Sequence, residues 1–141
     1  MGYKYHGNSI MAAIGLVQLR YLDDDNRFRR QVAQWYEERL GRGNSNAKPI
    51  PVADGCDSSR HLFMIEASNR DELLETLNAD EIYPGVHYRD NTEYAMYAYA
   101  HGTCPRAHVM SGRILSLPMH LRLREVDVDR ICDTVTAHAK E

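Results

Sequence analysis

The chain has 141 residues, 43% hydrophobic and 26% charged, with 17 basic residues against 20 acidic ones and a formal net charge of −3. That length suits one compact domain over residues 1–141, and the near balance of charge leaves no field to gather nucleic acid or an anionic membrane. No apolar run approaches the roughly 20 residues of a membrane-spanning helix. Met1 to His6 lacks the apolar core of a signal peptide, and Cys56, Cys104 and Cys132, an odd number at irregular spacing, fit reduced thiols in a cytoplasm better than a disulfide framework.

Ile10, Ala13, Ile14, Val17 and Tyr21 recur at helical spacing, with Asn8 or Ser9 placed to cap the helix. Asp23, Asp24, Asp25 and Asn26 interrupt that stripe and suit the N-terminus of a second helix, whose pattern runs through Phe28, Val32, Trp35, Tyr36 and Leu40. Gly41 to Asn46 ends it with residues that tolerate left-handed angles. Pro49-Ile50-Pro51-Val52 can be only an edge strand, because proline lacks a ladder donor. His61 to Ala67 is the strongest strand. Asn69 with Glu72 three residues on reads as a capping box for a short helix carrying Leu73, Leu74 and Leu77. Val86-His87-Tyr88 reads as a short strand after Pro84-Gly85, and the stretch with Tyr94, Tyr97 and Tyr99 has no clean period. Ile114 to Leu117 is a strand stopped by Pro118, and Val128, Ile131, Cys132, Val135 and Ala139 mark a last amphipathic helix. Short strands among helices in this order predict an α+β fold with a small, mostly antiparallel sheet packed with helices.

Three places carry chemistry by residue type. Lys4, His6 and Asn8 stand just before a helix N-terminus, where free N–H groups can hold a phosphate or carboxylate; an ordinary N-terminus with a good cap explains the same residues. His87 and Tyr88 at a strand end can present an imidazole and a phenol to a cleft, or simply pack the strand end. His101, Cys104 and His108, with His120 as a distant fourth, do not complete the paired spacing of a structural zinc site, so a solvated loop and no metal are expected there. Arg27, Arg29 and Arg30 lie among acidic residues and read as a solvated helix surface.

Read as text, Gly2-Tyr3-Lys4-Tyr5-His6, followed by Ile10-Met11-Ala12-Ala13-Ile14-Gly15-Leu16-Val17-Gln18-Leu19 and Leu22-Asp23, resembles the opening of the C-terminal part of DegT-type sugar aminotransferases. Three further segments match in order: His61-Leu62-Phe63, Gly85-Val86-His87-Tyr88, and Ile114-Leu115-Ser116-Leu117-Pro118-Met119-His120 ahead of a helix containing Val126-Asp127-Val128-Asp129-Arg130-Ile131. The resemblance covers almost the whole chain.

The resemblance implies the C-terminal small domain of a fold-type-I enzyme, one that uses pyridoxal phosphate to aminate a keto group on a nucleotide-linked sugar. The family enzymes are homodimers, with the Schiff-base lysine on a large domain. None of Lys4, Lys48 and Lys140 stands in the context of that lysine. The chain is therefore expected to be inactive by itself, to bind no cofactor alone, and to need a large cofactor-binding domain or subunit as partner within a homo-oligomer. A stand-alone ligand-binding or dimerisation module that kept the fold without the reaction is the alternative. By resemblance, Lys4, His6 and Asn8 fall on the segment that reaches the cofactor phosphate, with Lys4 and His6 in place of the family's asparagine and arginine. His87 and Tyr88 fall on the segment bordering the sugar-nucleotide cleft. There the family often continues with proline and a second histidine, where this chain has Arg89, Asp90 and Asn91.

Overall fold

The computed structural model describes residues 7–41 and 45–140. In chain order these form α1 (Ser9–Gln18), α2 (Leu22–Leu40), β1 (Lys48–Pro49), β2 (Phe63–Glu66), α3 (Arg70–Ala79), two 3-10 turns (Asn91–Glu93 and Ala95–Ala100), α4 (Pro105–Ser111), β3 (Ile114–Leu117) and α5 (Glu125–His138). The α+β expectation holds: a three-stranded antiparallel sheet in the order β1-β2-β3 is packed with helices.

Side chains alternate across a strand, and the register shows what this does. Phe63 pairs with Leu117 and Ile65 with Leu115, while Met64 pairs with Ser116. Phe63, Ile65, Leu115 and Leu117 therefore share one face, and all four are buried. The helices lie over that face with their apolar stripes. They bury Val32, Ala33, Tyr36 and Leu40 from α2, Leu73 and Leu77 from α3, and Val128, Ile131, Cys132 and Val135 from α5. Tyr36 stacks on Phe63 with ring centroids 4.7 Å apart, and its hydroxyl donates to the Pro118 carbonyl at 2.9 Å, so the one polar atom of this large buried side chain is satisfied. Phe28 and Trp35, which extend the stripe of α2, pack edge to face at its half-buried margin.

Asp23, Asp24 and Asp25 occupy the first turn of α2, where they favour the helix dipole as the sequence indicates. The outward side of α2 meets α5 through Arg39, whose guanidinium pairs with Glu125 at 2.9 Å and with Asp129. Helix α1 is different. It buries none of its residues, and Ile10, Ile14 and Leu16 are each more than half exposed.

Several local expectations need correction. Tyr21 lies beyond the end of α1, at the N-cap of α2. Gly41 keeps a right-handed φ of −75°, while residues 42–44 lie outside the described residues. Asn69 stands at the N-cap of α3, but its side chain accepts no hydrogen bond from the helix N–H groups. Its amide instead donates to the His138 carbonyl at 3.0 Å and its oxygen accepts from the Lys140 N–H at 2.9 Å, so a side chain that reads as a local cap fastens the C-terminal segment. Val86-His87-Tyr88 forms no strand, because pairing stops after one bridge between Gly85 and Ser116. The stretch expected as a solvated loop carries α4, in which Pro105 sits in the first turn, a position where its missing N–H costs nothing.

Candidate functional site

The site is built around the face of β3 that the helices leave uncovered. Ser116 points there because its neighbours Leu115 and Leu117 point into the core. Gly85 pairs with it from the adjoining loop: Gly85 N–H donates to Ser116 O at 2.9 Å and Ser116 N–H to Gly85 O at 2.8 Å. Two residues on, the His87 ring folds back over this bridge and places Nδ1 3.0 Å from Ser116 Oγ. A Cβ on Gly85 would lie 2.5 Å from His87 Cε1, so only glycine leaves room for the ring. The hydroxyl and imidazole can exchange donor and acceptor roles, and Ser116 is the group that sets the imidazole's orientation. The Tyr88 ring stands edge-on to His87 at 5.0 Å and is 71% exposed, which leaves its hydroxyl free to meet a ligand. The His87–Tyr88 peptide bond is cis.

Beside His87 lies a cavity of about 590 Å³, walled by Ile82, Pro84, Met119 and Leu123, with Asp127 and Arg130 at its polar side. Hydrogen bonds from the Arg124 side chain and backbone hold the Asp127 carboxyl down at about 2, so it stays an anion across the physiological range. The cavity thus offers an apolar wall, a fixed carboxylate and a positioned imidazole, a combination suited to a polar ring compound with hydroxyl groups.

Of the residues expected at the anion site, Lys4 and His6 lie outside the described residues. Asn8 caps α1: its Oδ1 accepts from Met11 N–H at 2.9 Å. The cap occupies the acceptor oxygen and leaves the amide of Asn8 as a donor, beside the first N–H groups of the helix, which have no intrahelical partner. This donor set fits a phosphate. Lys140 is held in a bidentate pair with Glu72 at 2.7 and 2.8 Å, and Lys48 lies exposed on the two-residue β1. Neither borders the His87 cavity.

Sequence reasoning passed over Ser116. A signal was available, since it is the one hydroxyl in the apolar run Ile114-Leu115-Ser116-Leu117 and alternation puts it opposite the core. It also passed over Asp90, which is buried with 7% exposure. Nothing local marks that residue.

A sequence profile of the DegT/DnrJ/EryC1/StrS aminotransferase family matches residues 1–136. GDP-perosamine synthase of Caulobacter vibrioides is 30% identical over 93% of this chain, which spans 37% of that protein. A putative sugar aminotransferase from Streptococcus pneumoniae, solved in its PLP form, superposes with a TM-score of 0.87 at 25% identity, over 96% of this chain and 36% of that one. Helicobacter pylori PseC, an aminotransferase involved in the biosynthesis of pseudoaminic acid, superposes with a TM-score of 0.83 at 27% identity, over 97% of this chain and 38% of that one. The chain therefore spans little more than a third of the length of these relatives.

Proposed function

The chain belongs to the DegT/DnrJ/EryC1/StrS aminotransferase family, and we propose that it acts as the C-terminal small domain of an amino-sugar-forming aminotransferase, completing a site whose catalytic lysine lies on a large domain. The observation that carries this reading is α1. A ten-residue helix that buries nothing is too short to be stable in water on its own, since isolated helices below about 12–15 residues are marginal. Its Ile10, Ile14 and Val17 lie exposed on one face and need an apolar surface that the other described residues do not supply.

Pyridoxal phosphate, when bound in the assembled enzyme, supplies the electron sink for moving an amino group from a donor onto a keto sugar. The residues of this chain bind and orient. Lys4, His6, the Asn8 amide and the free N–H groups of α1 hold the cofactor phosphate, lysine serving as a point charge in place of a neutral amide donor. His87, oriented by Ser116, and the Tyr88 hydroxyl hydrogen-bond the nucleotide-linked sugar at the cleft margin. The enzyme is a homodimer, with this domain lining the cleft between subunits. The odd number and irregular spacing of Cys56, Cys104 and Cys132 support a cytoplasmic location.

The test mixes the 141-residue chain with a separately expressed large domain of a DegT-family enzyme, then supplies pyridoxal phosphate, glutamate and a nucleotide-linked keto sugar. Transamination is expected from the mixture and from neither part alone, with borohydride fixing the cofactor to a lysine of the large domain. A reducible cofactor adduct on Lys4, Lys48 or Lys140 of the isolated chain overturns the assignment. Tight binding of the sugar nucleotide by the chain alone, with no gain on mixing, favours a stand-alone binding module.

A further inference from the structure

We propose that Asp90, Glu93 and His108 form a binding site for one divalent transition-metal ion of the zinc class, at the junction of the first 3-10 turn and α4. One carboxylate oxygen from each acid and one ring nitrogen of the histidine all lie within 4.8 Å of one another. His108 Nδ1 is 3.3 Å from Asp90 Oδ2 and 3.5 Å from Glu93 Oε1. Zinc bonds to nitrogen and carboxylate oxygen run about 2.0–2.2 Å, and a tetrahedron with bonds of that length has edges of roughly 3.3–3.5 Å. The two separations from His108 match edges of that length.

Without a metal the same groups form a long ion pair. A charge-assisted N–H···O bond closes to about 2.7–2.9 Å, and His108 Nδ1 stands farther than that from both carboxylates. Asp90 adds a second observation. The residue is more than nine-tenths buried, its Oδ1 accepts from Thr92 N–H at 2.9 Å, and its Oδ2, turned to His108, has no aligned donor. A buried carboxylate oxygen without a donor is costly, and a cation on Oδ2 removes that cost. The Thr92 bond meanwhile fixes the carboxylate in the way outer partners fix metal ligands.

Of the cations nearby, the Arg70 Nε lies 2.6 Å from Asp71 and the Arg89 guanidinium lies over the Tyr94 ring, while His101 Nδ1 lies 3.2 Å from Glu93 Oε1 and shares that oxygen with His108. A cavity of about 400 Å³ reaches Glu93 and His108 from solvent, giving the ion a way in and a water room for the fourth position. One imidazole with two carboxylates and no thiolate suits zinc, cobalt or manganese better than copper(I). Such an ion ties α4 to the 3-10 turn that follows Tyr88. This site involves neither His87 nor α1 and stands apart from the proposed aminotransferase role.

The test uses the 141-residue chain, stripped with chelator and titrated with Co²⁺, whose visible absorption reports ordered coordination. One Co²⁺ per chain is expected, displaced by Zn²⁺, with a raised thermal midpoint for the loaded chain. Asp90→Asn, Glu93→Gln and His108→Gln are each expected to weaken binding by about 100-fold or more, at or above the upper range for disturbing a metal site's outer partners. His108→Cys is expected to keep the ion and add a thiolate charge-transfer band, a result that stands even if His108→Gln disturbs α4. Cys104→Ser is expected to leave affinity unchanged. Failure to bind Co²⁺, binding retained in both Asp90→Asn and His108→Gln, or binding lost in Cys104→Ser overturns the proposal.

Discussion

Cys132 and Tyr36 meet in the core, and together they predict a steep loss of stability on the alkaline side. Burial, with smaller contributions from Asp129 and Asp133, pushes the Cys132 thiol from an ordinary 9.0 up to about 12 against the opposing pull of Arg39. Burial, aided by Cys132, raises the Tyr36 phenol above its ordinary 10.0. In each case the folded value lies above the unfolded one, so the contribution is complete below the unfolded value and is lost as pH rises toward the folded value. One proton corresponds to about 1.4 kcal/mol per pH unit. Between pH 9 and 10 only the thiol is expected to contribute, giving that slope; above pH 10 the phenol joins and the slope doubles to about 2.7 kcal/mol per pH unit. Urea unfolding followed by circular dichroism at half-unit steps from pH 8 to 11 measures both. Cys132→Ala should flatten the segment from pH 9 to 10, and Tyr36→Phe the additional part above 10. An unchanged alkaline profile in Cys132→Ala would refute the reasoning, because it would mean the thiol ionises without leaving the core.

Tyr36→Phe at pH 7 removes the donor to the Pro118 carbonyl and is expected to cost about 1–1.5 kcal/mol, read by the same unfolding assay. Gly85→Ala pushes a methyl into the His87 ring and should cost about 1–3 kcal/mol as overpacking; Ser116→Ala leaves the ring in place but unanchored, so the His87 resonances should shift and broaden in NMR with a cost near 1 kcal/mol. On the acid side, Arg124 holds the Asp127 carboxyl down at about 2. Its contribution is therefore present above the unfolded value of 3.8 and fades as pH falls to 2, and Asp127→Asn should flatten the unfolding profile over that interval. Asn8→Ala removes the cap of α1 and should lower helicity by circular dichroism, at a cost of about 1 kcal/mol in that helix.

What could be read from the sequence divides along the range of the interactions. The stripes of α2 and α5 and the runs forming β2 and β3 declare themselves, because burial imposes a period on neighbouring residues. Asn69 stands where the sequence places it and reaches Glu72, but its side-chain oxygen satisfies the Lys140 N–H instead of the first turn of its helix. Val86 and its neighbours look extended by composition, yet only Gly85 finds a partner across β3. Pro105 marks the start of α4, but the tyrosine-rich stretch before it settles into 3-10 turns that no apolar period announces. Beside the cavity, the sequence marks His87 and Tyr88 by residue type alone. Ser116, which sets the imidazole, required knowing which face of β3 was free. The approach of His108 to Asp90 and Glu93 depends on the path of the chain between them, which carries no pattern at all.

The sheet has consequences for how this domain meets other proteins. Its outer strand β1 is two residues long and contains Pro49, which cannot donate. On the opposite side, Gly85 occupies the backbone groups of Ser116. With one margin short and proline-blocked and the other partly occupied, joining by an added strand is disfavoured. An assembly that adds no strand must then read side chains, and α1 offers an exposed set. Recognition of that kind can be retuned one residue at a time, so a sequence can change partners while its interior stays fixed.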